Sequence, residues 1–296
     1  MARKEASEYD PGLFELYDRY AHGGISRREF FDGAKRFAAG GLTGAALLRE
    51  MSPDYALAQQ IAPDDPRISN EFITYPSPQG HGDIRAYLAR PAGVSGPLPA
   101  VVVVHENRGL NPYIQDVARR LASANFLALA PDGLTPLGGY PGDDDRGREL
   151  QASLEPARLM EDFMAAVEFL IAQPLATDKV GIVGFCYGGL VSNTAAVRLP
   201  DLAAAVPFYG RQPAAQDVGR IRASLLIHYA ENDPGVNAGW PEYEAALQAN
   251  RVNYEAHFYP GTNHGFHNDT TPRYDHTAAQ LAWARTLAHF DRTLRP

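Results

Sequence analysis

The chain has 296 residues, a formal net charge of −8, 45% hydrophobic and 21% charged residues, and a single cysteine. That length suits one large α/β domain with an extension, or two small domains, and is enough to bury a full core. The acidic balance gives no footprint for nucleic acid, no apolar run reaches membrane-spanning length, and one cysteine excludes an internal disulfide, a thiolate metal cage and an iron–sulfur site.

Residues 1–65 differ in character from the rest. Leu13, Leu16, Tyr17 and Tyr20 fall at helical spacing after Asp10-Pro11, which predicts a short amphipathic helix ending near His22-Gly23-Gly24. Ser26-Arg27-Arg28-Glu29-Phe30-Phe31, a weakly apolar stretch over 37–48 and Ala56-Leu57-Ala58 follow. Two readings fit this order. In one it is a twin-arginine export signal with a small-x-small cleavage site, which would deliver the chain beyond residue 58 to the periplasm. In the other, Ser26 and Glu29 form a capping box, and residues 1–65 are a helical hairpin retained on a cytoplasmic catalytic domain at 66–296.

After the linker Ala62-Pro63-Asp64-Asp65-Pro66, strand and helix signals alternate. Stretches 71–75 and 84–89 read as a hairpin about Ser77-Pro78-Gln79-Gly80-His81-Gly82. Stretch 98–105 contains four consecutive valines and is apolar on both faces, as a central strand between helix layers must be. Asn111-Pro112 opens a helix whose stripe is Ile114, Val117, Leu121 and Ala122, and 126–130 is the next strand. Residues 133–155 read as a long polar loop of the kind used for binding. A helix over 156–173 precedes a strand ending at residue 185; further strands fall at 202–209, 224–229 and 254–259, with helices at 239–248 and 274–294. This pattern predicts a mostly parallel central sheet covered by helices on both faces. The short connection between Tyr209 and Ser224 holds no inserted cap, which predicts an open, small active-site cleft.

The chain is organised around Val180-Gly181-Ile182-Val183-Gly184-Phe185-Cys186-Tyr187-Gly188-Gly189. An apolar β-branched run that stops at Gly-x-Cys-x-Gly before a helix is the signature of a nucleophile elbow, whose strained turn needs small neighbours on both flanks. The nucleophile would be the thiol of Cys186. Such a group needs a base and an anion to orient it, in the chain order nucleophile, acid, histidine. Asp233 stands just past the run Leu225-Leu226-Ile227-His228-Tyr229-Ala230, and His264 follows the strand at 254–259 in a glycine-flanked loop. A nearby imidazolium lowers a thiol's pKa and favours thiolate. The loop after the valine strand, His105-Glu106-Asn107-Arg108, is where this fold draws one oxyanion-hole amide, so the N–H groups of Asn107 and Tyr187 are the candidate donors. His267 lies three residues past His264, but no acidic partner stands at ligand spacing, so no metal is expected.

With Gly184-Phe185-Cys186-Tyr187-Gly188-Gly189, His105-Glu106, Asp233 and His264-Gly265-Phe266 in view, the chain resembles the dienelactone hydrolase (carboxymethylenebutenolidase) family over residues 70–296. The resemblance implies the α/β-hydrolase fold, a Cys186, Asp233, His264 triad, and a Glu106 that contacts the resting thiol and helps to generate thiolate when substrate arrives. Members that open dienelactone hold its carboxylate with arginines; Arg146 and Arg148 are the candidates here. No arginine directly follows His264, where the chain reads Gly265-Phe266-His267-Asn268, which points to a different substrate. The expected function is cofactor-free hydrolysis of small esters or lactones through a Cys186 acyl-enzyme. The rivals are a thioesterase or small peptidase with the same triad, and a non-hydrolytic binding or thiol-sensing protein. Nothing in the sequence sets an oligomeric state.

Overall fold

The computed structural model describes residues 6–38, 43–57 and 59–295. Strand β1 (Ile68–Ser77) pairs antiparallel with β2 (Gly82–Pro91), the hairpin expected from the Pro-Gln-Gly turn. Strands β3 (Leu98–Val104), β4 (Leu127–Pro131), β5 (Ala176–Phe185), β6 (Leu202–Phe208), β7 (Ser224–Asn232) and β8 (Tyr254–Asn263) run parallel to one another. They form one eight-stranded sheet in the order β1-β2-β4-β3-β5-β6-β7-β8. The fold is therefore the α/β arrangement read from the alternating pattern.

The valine strand shows why the sheet must be covered on both sides. Val102 and Val104 enter a core shared with α6 (Pro156–Ile171), α7 (Tyr187–Arg198) and α9 (Trp240–Ala249). Val101 and Val103 face the opposite core, under α4 (Pro112–Ser123) and α10 (His276–Leu294). Successive side chains on a strand point to opposite faces, so an unbroken apolar run needs two layers of helix.

Residues 133–155 are not wholly a loop. Asp144–Ser153 form helix α5, which is mostly polar, with Leu150 alone packing on the core, and so shows no apolar stripe for sequence periodicity to reveal. It starts at Asp143, whose carboxylate accepts from the Arg146 N–H at 2.7 Å, and it packs so closely that a Cβ on Gly147 would lie 2.3 Å from the Arg108 carbonyl.

The N-terminal part forms α1 (Pro11–Ala21), α2 (Arg27–Ala34) and α3 (Gly44–Met51). Helix α1 ends at His22 as the spacing predicts, and Ser26 with Glu29 makes the full capping box. These helices bury their own apolar cluster, including Leu13, Tyr17, Tyr20, Phe30, Leu47 and Met51. Of the cleavage-site motif, Ala58 lies outside the described residues, as do residues 39–42 of the weakly apolar stretch.

At the end of β5 the backbone turns sharply. Cys186 has φ 57° and ψ −109°, a conformation costing a non-glycine residue about 1–3 kcal/mol. Its N–H donates to the Phe208 carbonyl at 3.1 Å, which pins the turn to β6. A Cβ on Gly184 would lie 2.0 Å from the Gly188 carbonyl oxygen, and one on Gly188 would lie 2.3 Å from that of Val104. Main chain cannot yield as a flexible side chain would. Gly188→Ala is expected to lower Tm by about 6 °C or more, or to abolish soluble expression, whereas Gly96→Ala, where nothing lies within 4 Å, leaves the melting curve unchanged.

Candidate active site

The parallel strands deliver the expected residues to one edge of the sheet. Cys186 caps α7, and Tyr187 is the first residue of that helix, where an N–H has no acceptor within the helix. Asp233 directly follows β7 and His264 directly follows β8. Both strands run further than their apolar stretches suggest, pairing out to Asn232 and Asn263 past an irregularity in register. Their ends thus sit side by side, and Asp233 Oδ2 accepts a hydrogen bond from His264 Nδ1 at 2.6 Å. A carboxylate only accepts, so Nδ1 carries the proton and Nε2 faces the thiol. His264 Nε2 is buried and has no hydrogen-bond partner among the described residues.

The thiol has a second imidazole beside it. His22 Nε2 lies 3.2 Å from Cys186 Sγ, and the rings of His22 and His264 meet edge to face at 4.7 Å. His22 Nδ1 donates to the Asp18 carbonyl at 2.8 Å and lies 3.3 Å from that residue's carboxylate. The Asp18 carboxylate in turn lies 3.5 Å from Nη1 of buried Arg273. The donor atoms of His22, Cys186 and His264 fall within 4.8 Å of one another.

The loop after β3 forms the opposite wall. His105 is buried; its Nδ1 donates to the Glu106 carbonyl at 2.5 Å and its Nε2 accepts from the Gly133 N–H at 3.1 Å, which fixes the loop's exit from the sheet. Glu106 is also buried, and its carboxylate accepts from Asn268 Nδ2 at 3.2 Å, while the hydrogen bond to Sγ comes from His22. The Asn107 side chain donates to the Ala21 carbonyl at 2.8 Å. Arg108 is buried and pairs with Asp144 at 2.8 Å.

The cleft is closed, contrary to the expectation of an open one. Ala21, His22, Glu106, Asn107, Arg108, Cys186, His264 and Arg273 line a cavity of only about 10 Å³. The polypeptide inserted over Cys186 comes from the N-terminal helices, whereas the sequence reading looked for a cap only between Tyr209 and Ser224. A larger opening of about 790 Å³ lies between α1 residues such as Phe14 and the 261–277 loop, but neither Cys186 nor His264 lines it. Of the two candidate arginines, Arg148 donates to the Tyr20 carbonyl at 2.5 Å and so holds the inserted segment. Arg146 does not join the site: it is solvent-exposed and paired with Glu149 on the surface of α5. His267 lies in the core, bonded to the Tyr113 hydroxyl at 2.7 Å and stacked on Phe185.

Charge sets the protonation of the centre. Burial alone would raise the Cys186 thiol, but the positive imidazoles of His22 and His264 outweigh it and hold the thiol below its usual range. Burial likewise disfavours charged His264 and His22; Asp233 and the thiolate raise the first, and the thiolate and Asp18 raise the second. The Asp18 carboxyl, which burial would raise, is held well below the usual range by its hydrogen bond to His22 and by the charges of His264, His22 and Arg273. His22, Asp18, Arg108 and Arg273 are the site residues that motif reasoning missed. No short-range pattern ties His22 to a cysteine 164 positions away.

Comparison with known proteins bears on the family and the fold. The sequence model of the dienelactone hydrolase family matches residues 84–294, and a second model, described as YqhI-like, matches residues 1–40. A hydrolase fragment, YghX, of Escherichia coli strain K12 is 63% identical over 115 residues, 39% of this chain and 98% of the fragment. A 2-oxo-3-(5-oxofuran-2-ylidene)propanoate lactonase of Bradyrhizobium sp is 34% identical over 220 residues, 69% of this chain and 87% of its own. A dienelactone hydrolase crystal structure from Klebsiella pneumoniae superposes with a TM-score of 0.67 at 28% identity, covering 76% of this chain and 99% of that one. With its sheet order, its cysteine elbow and these relatives taken together, the chain belongs to the dienelactone hydrolase family of α/β-hydrolases.

Proposed function

We propose that this ester and lactone hydrolase works through an acyl-enzyme on Cys186, within a catalytic domain spanning residues 66–296. The observation that carries the reading is the 2.6 Å bond between Asp233 and His264, made at the same sheet edge as the strained turn of Cys186. The thiolate attacks the carbonyl carbon, and the carbonyl π pair moves onto oxygen. The Asn107 and Tyr187 N–H groups stabilise that oxyanion; losing one such donor typically costs about 3 kcal/mol. His264, steadied by Asp233, gives its Nε2 proton to the leaving oxygen as the C–O bond breaks. It then takes a proton from water, whose oxygen attacks the thioester, and the C–S bond breaks to restore thiolate.

Two features bear on substrate. The Bradyrhizobium relative carries the name of a lactonase of 2-oxo-3-(5-oxofuran-2-ylidene)propanoate, which is a small lactone. The buried guanidinium groups of Arg108 and Arg273 line the cavity at the thiol, which favours a substrate bearing an acidic group; Arg146 stands too far out to serve.

A panel of small lactones and esters assayed with Cys186→Ala is the direct test. The variant is expected to lose about 10³-fold or more in kcat, and rapid quenching of the wild type should trap a mass increase equal to the acyl group on the peptide carrying Cys186. Turnover that survives the substitution would remove the cysteine from the mechanism. Glu106, buried and lining the cavity at the thiol, is proposed to take part in acylation, so Glu106→Gln should slow the acylation burst about tenfold or more with an unchanged Tm. Burst kinetics equal to the wild type's would leave Glu106 a structural partner of Asn268 only.

A further inference from the structure

We propose that His22, carried by the N-terminal segment, is a catalytic residue of this hydrolase, whose imidazolium holds Cys186 as thiolate in the resting enzyme and swings aside when an acyl group enters. The inference rests on Cys186 being the nucleophile.

Four observations support it. His22 Nε2 touches the reacting atom at 3.2 Å. Its other nitrogen donates to a main-chain carbonyl at 2.8 Å, so Nδ1 bears hydrogen and a proton on Nε2 makes the ring cationic. The Asp18 carboxylate stands behind the ring as Asp233 stands behind His264, so each imidazole is backed by an anion. Finally, the segment is positioned by the site's own side chains. Asn107 holds the Ala21 carbonyl and Arg148 the Tyr20 carbonyl. The Tyr20 hydroxyl also donates to Asp145.

The cavity of about 10 Å³ shows that an acyl group and the His22 ring cannot occupy the site together. The ring has a way out. Its side chain is 34% exposed, it caps the end of α1, and Gly23, at φ 74°, and Gly24 follow it. His22 keeps its proton throughout. In the resting state it neutralises the sulfur; on substrate entry the thiolate forms the C–S bond; when water has cleaved the thioester the sulfur leaves as thiolate and pairs again with the imidazolium. No proton passes through His22, so His264 remains the acid and base.

Other charges face the same sulfur and ring. From the strand ends these are His264 and Asp233, with Glu106 and Arg108 from the loop after β3. Arg273 precedes α10, Asp18 lies on α1, and the hydroxyl of Tyr209 follows β6. Among the described residues, only His22 adds a cation in hydrogen-bond contact with sulfur from outside the triad.

The test uses full-length protein with His22→Gln and His22→Ala, both checked for wild-type Tm. Two readouts are needed: the pH profile of Cys186 alkylation by iodoacetamide, and kcat/KM for p-nitrophenyl acetate. We expect the alkylation midpoint to rise by about one pH unit or more. We also expect kcat/KM at pH 7 to fall about tenfold or more, recovering as pH rises and, for His22→Ala, with added imidazole. Asp18→Asn should shift the midpoint the same way by less. An unchanged midpoint, or variants faster than wild type at every pH, would overturn the proposal and leave the segment as a simple obstruction. Cys186→Ala run alongside separates the two ideas. If it is inactive while the His22 variants keep the wild-type midpoint, only the role of His22 fails; if it is active, the nucleophile itself is wrong.

Discussion

The catalytic edge depends on main chain approaching main chain at the turn after β5. Gly184, Gly188 and Gly189 each sit where a Cβ would come within 2.6 Å of a carbonyl oxygen of Gly188, Val104 or Phe208. That approach brings β3, β5 and β6 together at their ends and forces Cys186 into its strained conformation. The strain of about 1–3 kcal/mol persists because two full apolar cores, one on each side of the sheet, fix the strands that impose it. The same closeness puts the first N–H of α7 opposite the loop carrying Asn107. The proposed nucleophile and oxyanion donors are therefore consequences of one packing constraint.

Electrostatics adds a second requirement. Taking a thiolate out of water costs several kcal/mol, and one opposite charge about 4 Å away at an effective dielectric of about 20 returns about 4 kcal/mol. A single imidazole roughly balances the cost, and two leave a surplus. The arrangement follows that logic, with Sγ between His22 and His264, and with Asp18 and Asp233 behind the rings so that neither cation is buried alone. Arg108 with Asp144 and Arg273 with Asp18 extend the alternation outward. Charge is thus buried around the thiol by alternating cations with anions.

Most of the fold was legible because the sheet is buried on both faces. Runs such as the four valines of β3 have no other stable setting, and Asn111 before Pro112 marks a helix start by its cap geometry. Helix α5 was not legible: it is stabilised by its cap and by close packing at Gly147, which leave no periodic apolar signal. Within the site, the residues that strand ends must deliver could be read in chain order, because a parallel sheet aligns those ends. His22, Asp18 and Arg273 could not, since their placement depends on where an independent helical cluster lands. Arg146 misled because two arginines spaced by one residue on a helix point in different directions, one toward Tyr20 and one toward solvent.

The manner in which that cluster is attached bears on how the site works. Helices α1–α3 satisfy their apolar faces mainly among themselves, so they do not need the sheet in order to bury them. Much of what joins them and the following linker to the catalytic body is polar, with Tyr55 and Ile61 of the linker also packing on its apolar core. Tyr20 with Asp145, Arg148 with the Tyr20 carbonyl, Asn107 with the Ala21 carbonyl and Tyr55 with Asp144 are hydrogen bonds that water can replace. Exchange of that kind costs little net free energy, about 1 kcal/mol for each bond, whereas peeling an apolar face from the core would cost several times more. The seal over Cys186 is thus built from the interactions easiest to open, yet it ends in an imidazole in contact with the sulfur. A chain cut after residue 58 would keep Cys186, Asp233 and His264 but lose that partner, so the N-terminal helices have to be counted with the chemistry of the site.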